Sequence, residues 1–226
     1  MLRDVFHLFF PRVCSACRGA LEQNSQLICA RCAVKLPRTG YHLDPENPIA
    51  QRFFGLLPVS HALAYLHFSK GGMVQELLHQ LKYKGQFGVG ELLGRWYGRE
   101  LREVGLAEEW DVIIPIPLHP RKQKRRGYNQ SDAIAFGLAS TLKIPAITDA
   151  VVRQQSTDTQ TRKNRSERYK NMSGVFAVRQ AEAIAGKRIL LVDDVMTTGA
   201  TLIACGEVLM KSGARTLSVA TLASAQ

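Results

Sequence analysis

The stretch ILLVDDVMTTGAT, residues 189–201, decides how this chain is read. Four apolar residues, Ile189 to Val192, have the look of a buried strand that stops at two adjacent carboxylates, Asp193 and Asp194. Neighbouring like charges repel, and carboxylates are seldom buried without a partner, so the pair is there to hold something. Thr197, Thr198, Gly199, Ala200 and Thr201 follow and lead into a helical pattern. Small residues let backbone N–H groups approach a phosphate, Thr hydroxyls add donors, and a helix N-terminus favours an anion by up to ~2 kcal/mol. Gly199 supplies the backbone freedom such a cradle needs. Two acceptors followed by a phosphate cradle suit a sugar phosphate, with carboxylates on ring hydroxyls and amides on the phosphate.

Working outward, the chain supplies a sheet for such a site. ALAYLHF (62–68), DVIIPIP (111–117), RILLVDD (188–194) and TLSVATLA (216–223) read as strands. MVQELLHQLKYK (73–84), 87–104, SDAIAFGLASTL (131–142) and 201–211 carry helical spacing, with Asn129 or Ser131 capping the third helix and Ser212-Gly213 stopping the last. Apolar strands alternating with helices predict a parallel sheet covered on both faces, and ligands then bind outside the carboxyl ends of its strands. With 189–192 as a strand, Asp193 and Asp194 are expected at that edge. Acidic pairs also hold magnesium on the helices of prenyl-transfer enzymes and sit at strand ends in response regulators. Neither class follows the pair with a Thr-Thr-Gly-Ala-Thr loop.

The segment 189–201 resembles the phosphoribosyl-pyrophosphate (PRPP) signature of type I phosphoribosyltransferases: four apolar residues, two acids, then a small Thr/Gly loop. That resemblance implies that Asp193 and Asp194 contact the ribose hydroxyls, and that Thr197, Thr198, Gly199, Ala200 and Thr201 bind the 5-phosphate. IPIPLHPRKQKRRGYNQS (114–131) follows another buried strand and reads as a basic loop, with Arg121, Lys122, Lys124, Arg125 and Arg126 close together. Such density attracts a pyrophosphate or a nucleic-acid backbone. RRGYNQS, together with LKYKG (81–85) and the PRPP loop, is similar to the ComF family, proteins associated with DNA uptake in competent bacteria. The superfamily likeness implies that the loop with Arg121 and its neighbours binds pyrophosphate. A second polar and basic segment, 153–176, contains Arg162 and Arg165 and matches the Thr-Gln-plus-basic element of ComF relatives. In phosphoribosyltransferases a mobile loop here closes over the reacting centre and excludes water.

Cys14-x-x-Cys17 and Cys29-x-x-Cys32 offer four thiolates to one tetrahedral metal, which reads as structural Zn²⁺; redox or iron–sulfur use is the alternative. The spacing also resembles the zinc finger that precedes many ComF domains. Cys205, alone in the helix after the phosphate loop, reads as a buried core thiol. Ahead of the cysteines, Leu2, Val5, Phe6, Phe9 and Phe10 line one face of a short helix suited to packing on the body or on a second subunit, with a membrane surface as the weaker alternative because the helix carries little basic charge. The histidines are scattered, and His119 beside the basic loop is the one that merits a test. A polar stretch at 37–48 reads as a linker or domain edge.

Composition bounds the class. The 226 residues are 46% hydrophobic and 22% charged, ordinary for a globular protein, and no apolar run is long enough to span a bilayer. The N-terminus lacks the features of a secretory signal, so a cytoplasmic location is expected. A net charge of +11 favours an anionic partner. The whole reads as an α/β chain: an amphipathic helix and four-cysteine zinc finger over 1–40, then a type I phosphoribosyltransferase fold, a parallel sheet flanked by helices, over 41–226. The resemblance implies PRPP with Mg²⁺ and single-stranded DNA as ligands, a DNA-uptake helicase as partner, and a homodimer as a further expectation. An active transferase acting on a nitrogen acceptor, and a regulator that senses PRPP, are the alternative functions.

Overall fold

The computed structural model describes residues 12–22, 27–154 and 174–225. Four strands form one parallel sheet: β1 Ala62–Phe68, β2 Val112–Pro115, β5 Arg188–Met196 and β6 Thr216–Ala225, in the order β1-β6-β5-β2. Two short strands, β3 Val151–Arg153 and β4 Phe176–Val178, pair antiparallel as a separate hairpin that the sequence reading did not foresee. Three residues each of mixed character are too short to show a period.

Strand alternation builds two cores. Leu63, Ile113, Leu190, Val192 and Ala220 face one side, where α2 Met73–Tyr83, α3 Phe87–Glu103 and α5 Gln130–Leu142 cover them. Ala64, Val112, Ile114, Ile189, Leu191 and Val219 face the other side, against α6 Ala200–Lys211, the hairpin, and Ile49, Phe53 and Leu57. Each inner strand is therefore apolar on both faces, which is why it reads as an unbroken hydrophobic run.

α3 and α5 approach unusually closely through small residues. A Cβ placed on Gly94 would lie 2.4 Å from the Ile134 carbonyl oxygen, one on Gly90 2.7 Å from the Ala133 Cβ, and one on Gly137 2.3 Å from the Glu91 carbonyl oxygen. On α3 the glycines recur four residues apart, at Gly90, Gly94 and Gly98, along the ridge that faces α5.

The polar stretch at 37–48 does not hang free. It runs along the open edge of β1, with Thr39 N–H donating to the Tyr65 carbonyl at 3.0 Å and His67 N–H to that of Pro37 at 2.8 Å. Asn47, buried, donates to the carbonyls of Tyr41, Asp44 and Ala62 and accepts from the N–H groups of Ile49 and Ala50. Composition alone marks such a polar segment as a linker; one amide side chain with five partners turns it into an edge cover.

The four cysteines pack into the same body. Cys14, Ala16, Ile28, Cys32 and Leu36, with the short α1 Ala30–Val34 among them, belong to the first core.

Candidate functional site

The acidic pair lies within the hydrogen-bonded strand and not just past it. β5 runs on to Met196 because β6 is long enough to keep pairing, with Asp193 opposite Thr221 and Met196 opposite Ser224. Pairing lapses at one row, that of Asp194 in β5 and Tyr65 in β1. Beyond it Leu66, Ala223 and Val195 pack with the first core, although strand alternation up to that row would assign them to the second. The sheet thus re-aims its side chains at the acidic pair.

Each carboxylate has its own partners. One oxygen of Asp193 accepts from the Ser131 hydroxyl at 3.0 Å and from the Asp194 N–H at 2.8 Å. Ser131 is in place because Asn129 caps α5, its side-chain oxygen accepting from the Ser131 N–H at 3.4 Å. Asp194 forms an ion pair with Lys82, whose ammonium lies 3.0 Å and 2.9 Å from the two carboxylate oxygens. Burial, and then the Asp194 charge, push the Asp193 carboxyl well above the usual carboxylate range. The Asp194 N–H, Ser131 and Lys82 act in the opposite direction.

The loop after the pair turns directly into α6. Gly199 has φ +80°, a left-handed conformation that resists any side chain, and a Cβ there would also touch Met196 Sδ at 3.7 Å and Phe53 Cζ at 3.8 Å. Asp193, Met196 and residues 197–202 line a hollow of about 30 Å³. Thr197 is exposed, Thr198 half-buried and Ala200 buried at the helix start. Arg52 donates to the Thr197 carbonyl, and also to that of Ala225 at 3.2 Å, so the segment before β1 is latched to this loop. A larger cavity of about 730 Å³, lined by Phe53, Phe54, Leu56 and Leu57 among others, flanks the start of β1 and does not include the acids.

The basic segment is a helix where the sequence suggested a loop. α4 spans Pro120–Arg126, capped by His119, whose Nδ1 accepts from the Arg121 N–H at 3.2 Å, and closed by Gly127 at φ +89°. Pro at the first turn, a run of good helix formers and a following Gly are the local signals of this helix. Arg121, Lys122, Lys124 and Arg125 are exposed, and Arg126 lies 5.3 Å over the Tyr83 ring.

The last turn of α2 connects these parts. Leu81 accepts from the Tyr128 hydroxyl through its carbonyl, Lys82 pairs with Asp194, and Tyr83 lies under Arg126. Three consecutive residues thus touch the basic segment and the acidic pair. Sequence reasoning gave Lys82 no role; its only signal was the place of LKYKG among the matched motifs. Arg153 of β3 was missed too: it is half-buried, stacks 5.5 Å from the Phe176 ring, and the Asp193 charge favours its charged form. Arg162 and Arg165, with the rest of 155–173, lie outside the described residues, as does the helical face of Leu2 to Phe10.

The ligand atoms of Cys14, Cys17, Cys29 and Cys32 all lie within 4.8 Å of one another. The Cys17 and Cys29 sulfurs are 4.0 Å apart, against about 3.8 Å for thiolates spaced tetrahedrally around zinc with 2.3 Å bonds. The Cys14 sulfur accepts from the Ala16 N–H at 3.4 Å and the Cys29 N–H at 3.3 Å. Burial opposes ionisation of Cys14, but backbone donors, that of Cys29 foremost, bring its thiol down to about 7. Four convergent sulfurs with N–H support fit a structural tetrahedral metal site. Cys205 is fully buried in the second core, and burial holds its thiol neutral.

A parallel sheet carrying an acid pair and a Thr/Gly turn into a helix defines the phosphoribosyltransferase class, and the family model described as "Phosphoribosyl transferase domain" matches residues 124–226. The fold is the type I form of that class, with the cysteine cluster ahead of it. The chain is 31% identical over 216 residues to the "DNA utilization protein YhgH" of Shigella flexneri, covering 92% of this chain and 88% of that one. It is 28% identical to "Competence protein F" of Haemophilus influenzae, covering 96% and 99%, and 26% identical to "Competence protein ComFC" of Bacillus subtilis, covering 89% and 79%. The chain belongs to the ComF family of phosphoribosyltransferase-like proteins. Among the described residues no helix is long and apolar enough to cross a membrane.

Proposed function

We propose that this protein binds PRPP with Mg²⁺ at the end of β5 and single-stranded DNA on its basic surface, and that it serves DNA uptake in natural transformation. The observation that carries the first part is the continuity of Asp193 and Asp194 with the 197–201 loop and α6. The two carboxylates take the ribose hydroxyls, and Thr197, Thr198, Gly199, Ala200 and Thr201 take the 5-phosphate. Mg²⁺ bound to the diphosphate would supply the neutralisation of its charge. Arg121, Lys122, Lys124, Arg125 and Arg126, with Arg162 and Arg165, serve the diphosphate or the DNA backbone. The cysteines hold one Zn²⁺ in a module that ends near residue 40. A cytoplasmic protein working with a DNA-uptake helicase, as a homodimer, completes the reading. The names of the relatives support the setting: one is a DNA utilization protein and two are competence proteins.

Calorimetry with Mg²⁺–PRPP tests the site. The expected result is binding that requires Mg²⁺ and is lost when Asp193→Asn and Asp194→Asn are combined. Unchanged affinity in that double variant places the ligand elsewhere. A parallel assay for pyrophosphate release with nitrogen acceptors reports whether binding leads to transfer.

A further inference from the structure

The basic helix has aromatic neighbours that the sequence did not place beside it. Tyr83, at the end of α2, is 62% exposed and lies under the Arg126 guanidinium. His79, also exposed, stands one helical turn away with its ring 5.3 Å from that of Tyr83. Tyr128, within the basic segment, is half-buried, its hydroxyl is spent on the Leu81 carbonyl, and its ring packs edge-on against Phe87 at 5.2 Å. Phe87 in turn lies 6.3 Å from Phe136, which is 42% exposed on α5. A strip linked by these contacts leads from Tyr83 and Arg126, through Leu81 and Tyr128, to Phe87 and Phe136.

Cations gather at the Tyr83 end of this strip, while Glu91, one turn after Phe87 on α3, lies toward the Phe136 end. Arg121, Lys122, Lys124 and Arg125 are exposed on α4, and Lys84 follows Tyr83. Two carboxylates of the flanking helices already have amide partners: Glu76 accepts from Gln80 at 2.6 Å and Asp132 from Asn129 at 2.6 Å. Cations alone would suit any polyanion. Exposed aromatic faces add something that only unpaired bases can use, since every base has a face to stack and a duplex hides it.

We propose that this strip, with Tyr83 and Phe136 as its exposed rings, is a stacking platform for single-stranded nucleic acid whose phosphates lie along α4. It rests on the DNA reading above and assigns that reading a surface. Arg126 over Tyr83 holds the ring from one side and leaves an outward edge and face; α4 supplies the counter-charge within one or two nucleotides.

The test uses the full chain and a fluorescent 20-nucleotide single strand, titrated by anisotropy at several salt concentrations. Tyr83→Ala should weaken binding at least fivefold at each salt concentration without changing the slope of log affinity against log salt. Phe136→Ser should weaken it in the same manner, and Tyr83→Phe should stay within twofold of the parent. A fully paired hairpin should bind more weakly than the single strand and be indifferent to Tyr83→Ala. Replacing Arg121, Lys122, Lys124 and Arg125 by Ala should instead flatten the salt slope, by about 0.7 for each phosphate no longer neutralised. Far-ultraviolet circular dichroism and thermal unfolding verify that each variant is folded. If the single strand binds the parent and the aromatic variants match it, the platform is refuted while DNA binding stands. If polyglutamate displaces the strand as readily as unlabelled strand does, the surface reads charge alone and the proposal falls. Absence of binding by the parent at low salt removes the DNA reading and the platform together.

Discussion

Lys82 and the buried Asp194 meet through two N–O distances of 3.0 Å and 2.9 Å, beside the second carboxylate of Asp193. Removing the ammonium leaves Asp194 without its ion-pair partner beside a second acid, and an unpaired buried charge costs about 1–3 kcal/mol. Lys82→Met is expected to lower stability in urea by that amount and to weaken Mg²⁺–PRPP binding about tenfold, with Lys82→Arg retaining most of both. Equal calorimetric affinity in Lys82→Met would separate the ion pair from ligand binding. Asp132 offers a second residue-scale test. Burial raises its carboxyl to about 6, against the lowering effect of Asn129. An unfolded Asp titrates near ~3.9, so the folded chain holds this proton more tightly. Its contribution to stability is fully present below about pH 4 and is lost as pH rises through about 6. Asp132→Asn should therefore flatten the fall in stability over that window, read from denaturation midpoints at half-unit pH intervals. A pH dependence identical to the parent would show that Asp132 is not the group responsible.

α3 and α5 depend on absent side chains. With only 2.4 Å between a Gly94 Cβ and the Ile134 carbonyl, Gly94→Ala must push two helices apart, and backbone cannot yield as a side chain would. A loss of about 1–3 kcal/mol is expected, as for other overpacked cores. Gly88 lies in the same helix, but its added Cβ would meet only the tip of Leu27 at 3.0 Å. Gly88→Ala should be neutral or stabilising by up to about 1 kcal/mol, from helix propensity. Opposite signs in thermal unfolding would confirm that contact, and not glycine count, governs the pair. The same displacement would reach the acidic pair, because Ser131, in the first turn of α5 and held by the Asn129 cap, donates to Asp193.

At the scale of the molecule, the cysteine cluster and the sheet share a core. Cys14 and Cys32 pack in the same cluster as Leu63, Leu190 and Val192. The protein is expected to carry about one equivalent of zinc. Cys14→Ser combined with Cys17→Ser should abolish that content and lower the Tm of the whole chain. If the metal contributes about 3 kcal/mol, the fall is about 6–12 °C for a protein of this size. Elemental analysis that finds no metal in a folded parent protein would overturn the assignment. A loss of zinc with no change in Tm would show that the module unfolds by itself.

Some of this was settled by residue order. The run from Ile189 to Thr201 carries its own periodicity, charge and small residues, and so gave the central strand, the acid pair and the loop into α6 before any fold was known. The paired Cys-x-x-Cys spacings likewise announced a four-sulfur cluster. The strong helices and all four sheet strands were legible because each repeats a local pattern over seven or more residues or ends at a clear breaker. What required the tertiary structure was every relation between distant segments. Lys82 lies 112 residues from Asp194, and nothing local in LKYKG identifies its partner. Tyr83 and Tyr128 look alike in the sequence, yet one is exposed beside α4 and the other is half-buried against Phe87. The carboxylates of β5 were expected at a strand end; β6, by continuing to pair as far as Met196, carried the strand two residues past them. Local patterns set the elements because backbone geometry is periodic, whereas the pairing of side chains across them follows from how those elements pack.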